Sequence, residues 1–441
     1  MALDHIVVVG GSLAGTRGAE TLRREGFTGA ITMVGAETEL PYERPALSKQ
    51  YLSGKWDRDR VFLRTDGDLA ADLGIEIRLG TVALSLDLDG RRVLVEPVHA
   101  DHSGAGDLGA GPSGEGDSGT GSSGAGESIG FDGLFIATGA RVRELPGSKG
   151  LGGVHTLRTL ADADRLKSDL ARKPKVAVIG AGFIGSEVAS TCRGLGLEVT
   201  VIEALPQPLS RVLGDEMGAI LAGLHRQGGT DLRLGIGVDS LVGSGRVEGV
   251  KLAGGEVIGA DVVVVGIGVV PNTEWLEGSG LTIDNGVVCD PACGAILVSG
   301  ERAPGVVAAG DVARWHHGLF DERMRLEHWD NAILQAEHAA RTLLAGDGAG
   351  GGAEREVQPY QEVGFFWSDQ YGAKIQFVGT CRPDDDMRVA EGSVEDHKFI
   401  AAYGRGGTMV GALGVNRAFR MMAYRDMVAN RAPFPPPPPP A

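Results

Sequence analysis

The run Val176-Ala177-Val178-Ile179-Gly180-Ala181-Gly182-Phe183-Ile184-Gly185 places three glycines at the spacing G-x-G-x-x-G directly after a short β-branched segment. Those residue types suit a pyrophosphate. Gly180 permits a tight turn, Gly182 lets the anion approach the backbone, and Gly185 lets the following helix pack close to the strand, while the helix N-terminus offers unpaired N–H groups. Glu203 follows 23 positions after Gly180, where a carboxylate accepts hydrogen bonds from ribose hydroxyls and repels an added 2′-phosphate. The chemistry that fits is binding of a nicotinamide dinucleotide, with NADH favoured over NADPH.

A second copy lies at the N-terminus as Val9-Gly10-Gly11-Ser12-Leu13-Ala14-Gly15, with Glu37 placed 27 positions after Gly10. Ser12 stands where the second glycine belongs, and its small side chain still leaves room for a phosphate. Two dinucleotide units in one chain have two explanations from the residues alone: FAD plus a nicotinamide, or a duplication in which one site has decayed. Two further small-residue turns, Ala137-Thr138-Gly139 after an apolar run and Gly310-Asp311 after another, are weak signals separately, because small residues commonly end strands. Gly268, in the apolar stretch 262–270, is a further nucleotide-binding candidate.

To position these turns the chain needs parallel strands covered by helices. Residues 6–9, 16–24 and 30–34 read as strand, helix and strand, and so do 176–179, 187–193 and 199–202, giving two βαβ units. With 441 residues the chain is too long for one ordinary core. The expected fold class is α/β, with two Rossmann-like dinucleotide-binding domains and a C-terminal α+β domain. Residues 1–150 and 271–350 are assigned to an FAD-binding domain in two parts, 151–270 to an NAD-binding domain and 351–432 to the C-terminal domain, whose strands are expected at 362–367, 375–378 and 409–415. Residues 99–128, rich in Gly, Ser, Ala and Asp, are expected to be a flexible insertion in a hairpin between strands at 92–96 and 131–137. Residues 433–441 are expected to be a disordered proline-rich tail.

Composition narrows the partners. The chain has 42 Lys and Arg against 58 Asp and Glu, a net charge of −16, and such a field repels nucleic acid. Four cysteines, at 192, 289, 293 and 381, are too sparse for a disulfide framework. Reduced thiols in the cytoplasm are the simpler expectation. The N-terminus lacks the pattern of a signal peptide, and the apolar stretch 262–270 is far shorter than the roughly 20 residues that cross a bilayer. It reads as a buried strand with its turn, and no membrane association is expected.

The glycine motifs, the two small-residue turns and their order together resemble the FAD-dependent pyridine nucleotide-disulfide oxidoreductases with the glutathione-reductase type of fold. Three stretches narrow the resemblance to the ferredoxin and rubredoxin reductases of bacterial oxygenase systems: Leu40-Pro41-Tyr42-Glu43-Arg44-Pro45-Ala46-Leu47-Ser48-Lys49, Glu327-His328-Trp329-Asp330-Asn331-Ala332, and Phe366-Trp367-Ser368-Asp369-Gln370-Tyr371-Gly372. The resemblance implies that Glu37 binds the adenosine ribose of FAD, that Arg44 and Lys49 contact the flavin side, that Asp311 binds the ribityl chain and that Trp329 lies beside the isoalloxazine. Val82 and Arg141 match further FAD contacts, although Val82 is also compatible with a core position and Arg141 with a solvated loop. Glu187 matches a glutamate that pairs with the lysine near flavin N5, here Lys49; a first-turn helix acid is the alternative. Phe183 matches an aromatic gate over the flavin, or is simply core.

Disulfide reductases of this superfamily need a redox-active cysteine pair near the flavin. Here the first cysteine is Cys192, and Cys289 and Cys293 have neither redox nor zinc spacing. His316, His317 and His328 form no well-spaced ligand set, so no metal is expected. The resemblance therefore implies an NADH-dependent ferredoxin reductase, monomeric or homodimeric, that passes a hydride from NADH to FAD and then single electrons to a ferredoxin or rubredoxin serving an oxygenase. An NADH oxidase and a non-catalytic flavoprotein are the alternatives. Arg417, Arg420 and Arg425 with Phe419, Met421 and Met422 offer a candidate partner surface, or an ordinary solvated helix face.

Overall fold

The computed structural model describes residues 3–63, 68–98, 126–346 and 357–437. By internal packing the chain divides into two units, each assembled from three separate chain segments. One holds residues 1–43, 62–141 and 270–362, and the other holds 44–61, 142–269 and 363–441.

The first unit is built on a nine-stranded sheet. At its centre His5–Val9, a β-branched run buried from Ile6 to Val9, pairs in parallel with Ala30–Val34 on one side and Gly133–Ile136 on the other. Arg302–Ala308 then pairs in parallel with the second edge of Gly133–Ile136. Strands enclosed on both faces need not alternate polar and apolar residues, which is why the buried parts of His5–Val9 and Gly133–Ile136 read as unbroken apolar runs. The helix Leu13–Arg24 covers the sheet through Ala14, Ala19 and Leu22. Its C-terminal end is tied down by Arg23, whose guanidinium donates to the carbonyls of Leu73, Phe27 and Gly29 at 2.6, 2.8 and 2.7 Å. A separate three-stranded antiparallel sheet joins Thr81–Asp87, Arg92–Pro97 and Glu127–Gly130.

That small sheet corrects the expected hairpin. Arg92–Pro97 pairs with Glu127–Gly130, whereas Gly133–Ile136 turns away and joins the parallel sheet. The expected flexible insertion 99–128 lies outside the described residues from 99 to 125, and its last two positions are already strand. The break falls at Asp132, whose carboxylate accepts the His5 N–H at 2.9 Å and steers the chain into the sheet beside His5–Val9.

The second unit carries a five-stranded parallel sheet in the order Asp231–Leu234, Val199–Glu203, Val176–Ile179, Val262–Val265, Val154–His155. It also holds a five-stranded antiparallel sheet of Phe365–Gln370, Ala373–Gly379, Thr408–Val415, Lys398–Arg405 and Asp386–Ser393. The last two strands were not foreseen, and the first runs three residues later than expected. The proline-rich tail is not disordered at its start: Phe434 donates its N–H to Gly407 at 2.9 Å, and its ring covers Gly404. Positions 438–441 lie outside the described residues. Among the described residues no helix is long and apolar enough to cross a membrane. The chain is thus an α/β protein with Rossmann-like sheets and a distinct β-rich C-terminal portion.

Candidate functional site

In the first unit, three strands end at one edge of the sheet and bring their turns together. Gly10 has φ +129, and a Cβ there would lie 2.0 Å from the carbonyl oxygen of Ala137. Gly15 packs its helix onto that turn, since a Cβ would meet the Gly10 oxygen at 1.9 Å. Gly310 approaches the same helix start, where a Cβ would lie 3.0 Å from the Ala14 side chain, and donates its N–H to Gln335 Oε1 at 2.9 Å. The helix Leu13–Arg24 begins at Ser12 with no side-chain cap and no acid in its first turn, the electrostatics an anion requires. The residues present fit a dinucleotide pyrophosphate, Ser12 included.

Around that cradle, the Glu37 carboxylate accepts a hydrogen bond from the hydroxyl of buried Tyr42. Trp329 opens the helix Trp329–Ala345 and donates its indole N–H to Glu43 at 2.6 Å. Burial pushes the Glu43 carboxyl up, against the pull of that hydrogen bond. Asp311 lies in the turn after Arg302–Ala308, its carbonyl held by Arg325 at 2.9 Å. Thr138 exchanges hydrogen bonds with Asn272, at 2.8 Å from its hydroxyl and 2.9 Å to its carbonyl. Arg141 is not a solvated loop charge: it donates to Asn272 at 3.2 Å and pairs with Glu274 at 2.6 Å. Val82 is half-buried on the strand Thr81–Asp87, and Gly139 takes φ +65.

The second unit repeats the cradle with sharper geometry. Gly180 has φ +99 with a virtual Cβ 2.3 Å from the Gly266 oxygen, and at Gly185 a Cβ would meet the Gly180 oxygen at 2.1 Å. At Gly182, the N-cap of the helix Phe183–Gly194, a Cβ would meet nothing within 4 Å. Two glycines are required by the protein's own backbone and the third faces open space, which is the arrangement a bound pyrophosphate needs. Ile184 is exposed beside it. Glu203 ends the next strand and accepts the Ala181 N–H at 2.7 Å and the Leu205 N–H at 2.9 Å, one on each carboxylate oxygen. Gly268, at φ +98, accepts the Arg143 N–H at 2.9 Å.

One turn along that same helix sits Glu187, almost wholly buried. Lys49 Nζ lies 2.9 Å from Glu187 Oε2, and the two side chains are 9% and 3% exposed. Glu187 is therefore an ion-pair partner and not a first-turn acid, since the helix Phe183–Gly194 carries no acid in its first turn. Lys49 comes from a π-helical turn, Leu47–Tyr51, a geometry frequent at functional sites. The turn aims two successive side chains at one carboxylate, since the Ser48 hydroxyl donates to Glu187 Oε2 at 2.5 Å. Thr191 anchors the turn by donating to the Ser48 carbonyl at 2.7 Å. Arg44, just upstream, donates to the Arg158 carbonyl at 2.7 Å. Phe183 meets Phe366 edge-on, ring centroids 4.4 Å apart.

Sequence reasoning missed Ser48, Ser368 and Glu43 as partners of these groups, although all three lie inside the quoted stretches. Their signal was polarity inside segments otherwise built for burial, as with Ser48 at 2% and Ser368 at 0% exposure. Burial disfavours the thiolate form at all four cysteines. All four are free, burial pushes Cys192 and Cys381 up to about 12 and raises Cys289 and Cys293 as well, and the thiolate is the reactive form. His316 hydrogen-bonds Asp321, His317 the Glu362 carbonyl, and burial lowers His328 to about 4. Among the described residues, no group of three or more His, Cys, Asp and Glu is placed to hold a metal.

Known proteins are similar to the chain over nearly its whole length. The family described as pyridine nucleotide-disulphide oxidoreductase matches residues 4–336, and a reductase C-terminal family matches 365–438. Rhodocoxin reductase of Rhodococcus erythropolis is 36% identical over 98% of this chain and 91% of its own length. The ferredoxin–NAD(+) reductase component of the anthranilate 1,2-dioxygenase system of Burkholderia cepacia is 34% identical over 98% and 96%. The covalent putidaredoxin reductase–putidaredoxin complex superposes with a TM-score of 0.83 at 31% identity, covering 98% of this chain and 94% of that one. With a family match over three quarters of its length, the chain belongs to the pyridine nucleotide-disulphide oxidoreductases.

Proposed function

We propose that this protein is an NADH-dependent ferredoxin reductase that takes a hydride from NADH onto FAD and delivers single electrons to a small iron–sulfur protein, a ferredoxin or rubredoxin, of an oxygenase system. The observation that carries the reading is the helix Phe183–Gly194. Its N-terminus is built to receive a dinucleotide, and one turn later Glu187 holds the Lys49 ammonium.

In this reading residues 1–150 and 271–350 bind FAD, 151–270 bind NADH and 351–432 form the reductase C-terminal domain, together a fold of the glutathione-reductase type. Bound FAD would supply the ability to accept two electrons at once and release them singly. Gly10, Ser12, Ala14, Gly15, Glu37, Val82, Ala137, Thr138, Gly139, Arg141, Gly310, Asp311 and Trp329 would hold it, with Arg44 and Lys49 on the flavin side. The Lys49 cation would offset negative charge developing on reduced flavin, and Glu187 would hold that cation in place. Gly180, Gly182, Ile184, Gly185 and Gly268 would seat the NADH pyrophosphate and nicotinamide arm, and Phe183 would yield its place to the ring. Glu203 would select NADH by accepting from the ribose and opposing a 2′-phosphate. The free thiols fit a cytoplasmic setting.

The test is steady-state turnover of FAD-loaded protein with NADH and NADPH in parallel, offering ferricyanide, a two-iron ferredoxin coupled to cytochrome c, or oxygen alone. Fast NADH-selective transfer through ferredoxin is expected. Rapid oxygen consumption without a carrier would replace the reading with an NADH oxidase.

A further inference from the structure

The face of the strand Phe365–Gln370 matches one face of the helix Phe183–Gly194 position for position. Phe366 and Ser368 are alternate residues on one side of the strand, and Phe183, Glu187 and Ser190 recur at helical spacing along the helix. Phe366 meets Phe183, the Ser368 hydroxyl donates to Glu187 Oε1 at 2.7 Å, and the Tyr371 N–H just beyond the strand donates to Ser190 Oγ at 2.7 Å. Glu187 thus has its oxygens divided: Lys49 and Ser48 take Oε2, and Ser368 takes Oε1.

We infer that Ser368 is a positioning residue whose hydroxyl fixes the Glu187 carboxylate and, through it, the Lys49 ammonium. The Ser368 proton has one direction to point. Gln370 Nε2 donates to Ser368 Oγ at 3.0 Å, so the hydroxyl is already an acceptor and its hydrogen goes to Glu187. Ser368 and Gln370 are 0% and 1% exposed, so no water replaces either bond cheaply. Without the Ser368 hydroxyl, Glu187 Oε1 is a buried charged atom short of its donor, and rotation of the carboxylate to find another breaks the Oε2 arrangement that seats Lys49. The C-terminal strand thereby sets the geometry of an ion pair whose two members lie more than 100 residues earlier in the chain.

The consequence for electron transfer rests on the flavin-reductase function proposed above, so the test has a flavin-independent arm. Competitive acylation followed by mass spectrometry reads Lys49 against exposed Lys55 on the purified chain. Ser368→Ala should raise Lys49 labelling at least threefold, and Ser368→Thr, which keeps the hydroxyl, should restore protection. In flavin-loaded protein, Ser368→Ala should move the midpoint potential in the same negative direction as Lys49→Met, and the double variant should move it no further than Lys49→Met alone. Unchanged labelling, or potential shifts that simply add, would overturn the role of Ser368. Failure of the wild-type chain to hold flavin would instead sink the proposed function, with the labelling still deciding Ser368.

Discussion

The hydroxyl of Tyr371 lies 3.0 Å from Nδ1 of His225, pinning the turn after the strand Phe365–Gln370 to the end of the helix Asp215–Gln227. The same hydroxyl meets Thr230 Oγ1 at 2.9 Å, and the tyrosine ring occupies the space a side chain at Gly228 would need, 2.1 Å from a virtual Cβ. Tyr371 holds this place at φ +50, a left-handed conformation that costs a non-glycine residue energy unless its surroundings enforce it.

Tyr371→Phe should keep the ring but strand two buried partners, lowering stability by about 1–3 kcal/mol. Gly228→Ala should destabilise as strongly, through overlap with the ring. Urea unfolding midpoints at unchanged slope check both.

The same histidine gives stability a pH dependence. Burial, with the Arg226 charge adding to it, lowers His225 to about 4, against roughly 6.5 in an unfolded chain. Between those values the unfolded chain takes up a proton that the folded chain refuses, so stability is full above pH ~6.5 and declines as pH falls towards 4. At about 1.4 kcal/mol per pKa unit the ceiling is about 3 kcal/mol. His328, half-buried and lowered by desolvation to about 4, adds a slope of the same sign. His155, His317 and His338 are lowered by burial as well, so His225→Gln should flatten only part of the wild-type slope, and unfolding free energies measured from pH 7 to 4.5 check it.

Two glycines three positions apart should respond oppositely. Gly185→Ala drives a Cβ to 2.1 Å from backbone oxygen and should cost about 1–3 kcal/mol or more of stability. Gly182→Ala meets nothing in the protein, so its melting temperature should hold while NADH affinity falls about tenfold, by obstruction of the pyrophosphate. Thermal unfolding alongside NADH titration separates the two effects.

Glu203 uses each carboxylate oxygen once on backbone N–H groups and retains lone pairs for a ribose. Glu203→Gln removes the charge and one acceptor, and should narrow the proposed preference for NADH over NADPH by about tenfold, or about 1.4 kcal/mol. The ratio of kcat/KM for the two nucleotides is the measurement.

The glycine turns were legible because each is a local necessity: at Gly10 and Gly180 a side chain would enter a neighbouring strand's carbonyl. Pairing partners were less so. Arg92–Pro97 pairs with Glu127–Gly130 rather than with the more apolar segment that follows, because Asp132 diverts the chain to His5, a contact across more than 100 residues that no local pattern announces. The strand Asp386–Ser393 went unseen since an exposed edge carries little apolar periodicity. Lys49 and Glu187 were found through resemblance, whereas Ser48 and Ser368 needed coordinates, because a serine gives no hint of which carboxylate it serves.

The interleaving of the two units constrains how the chain can be made. Gly133–Ile136 is paired on both edges, by His5–Val9 and by Arg302–Ala308. During synthesis the first partner is present from the start, but the second leaves the ribosome some 170 residues later, so an apolar, fully buried strand waits with its N–H and C=O groups open. An open edge of this kind templates association with other nascent chains. The parallel sheet of the first unit therefore closes only late in translation, after the whole intervening segment of the second unit has been extruded.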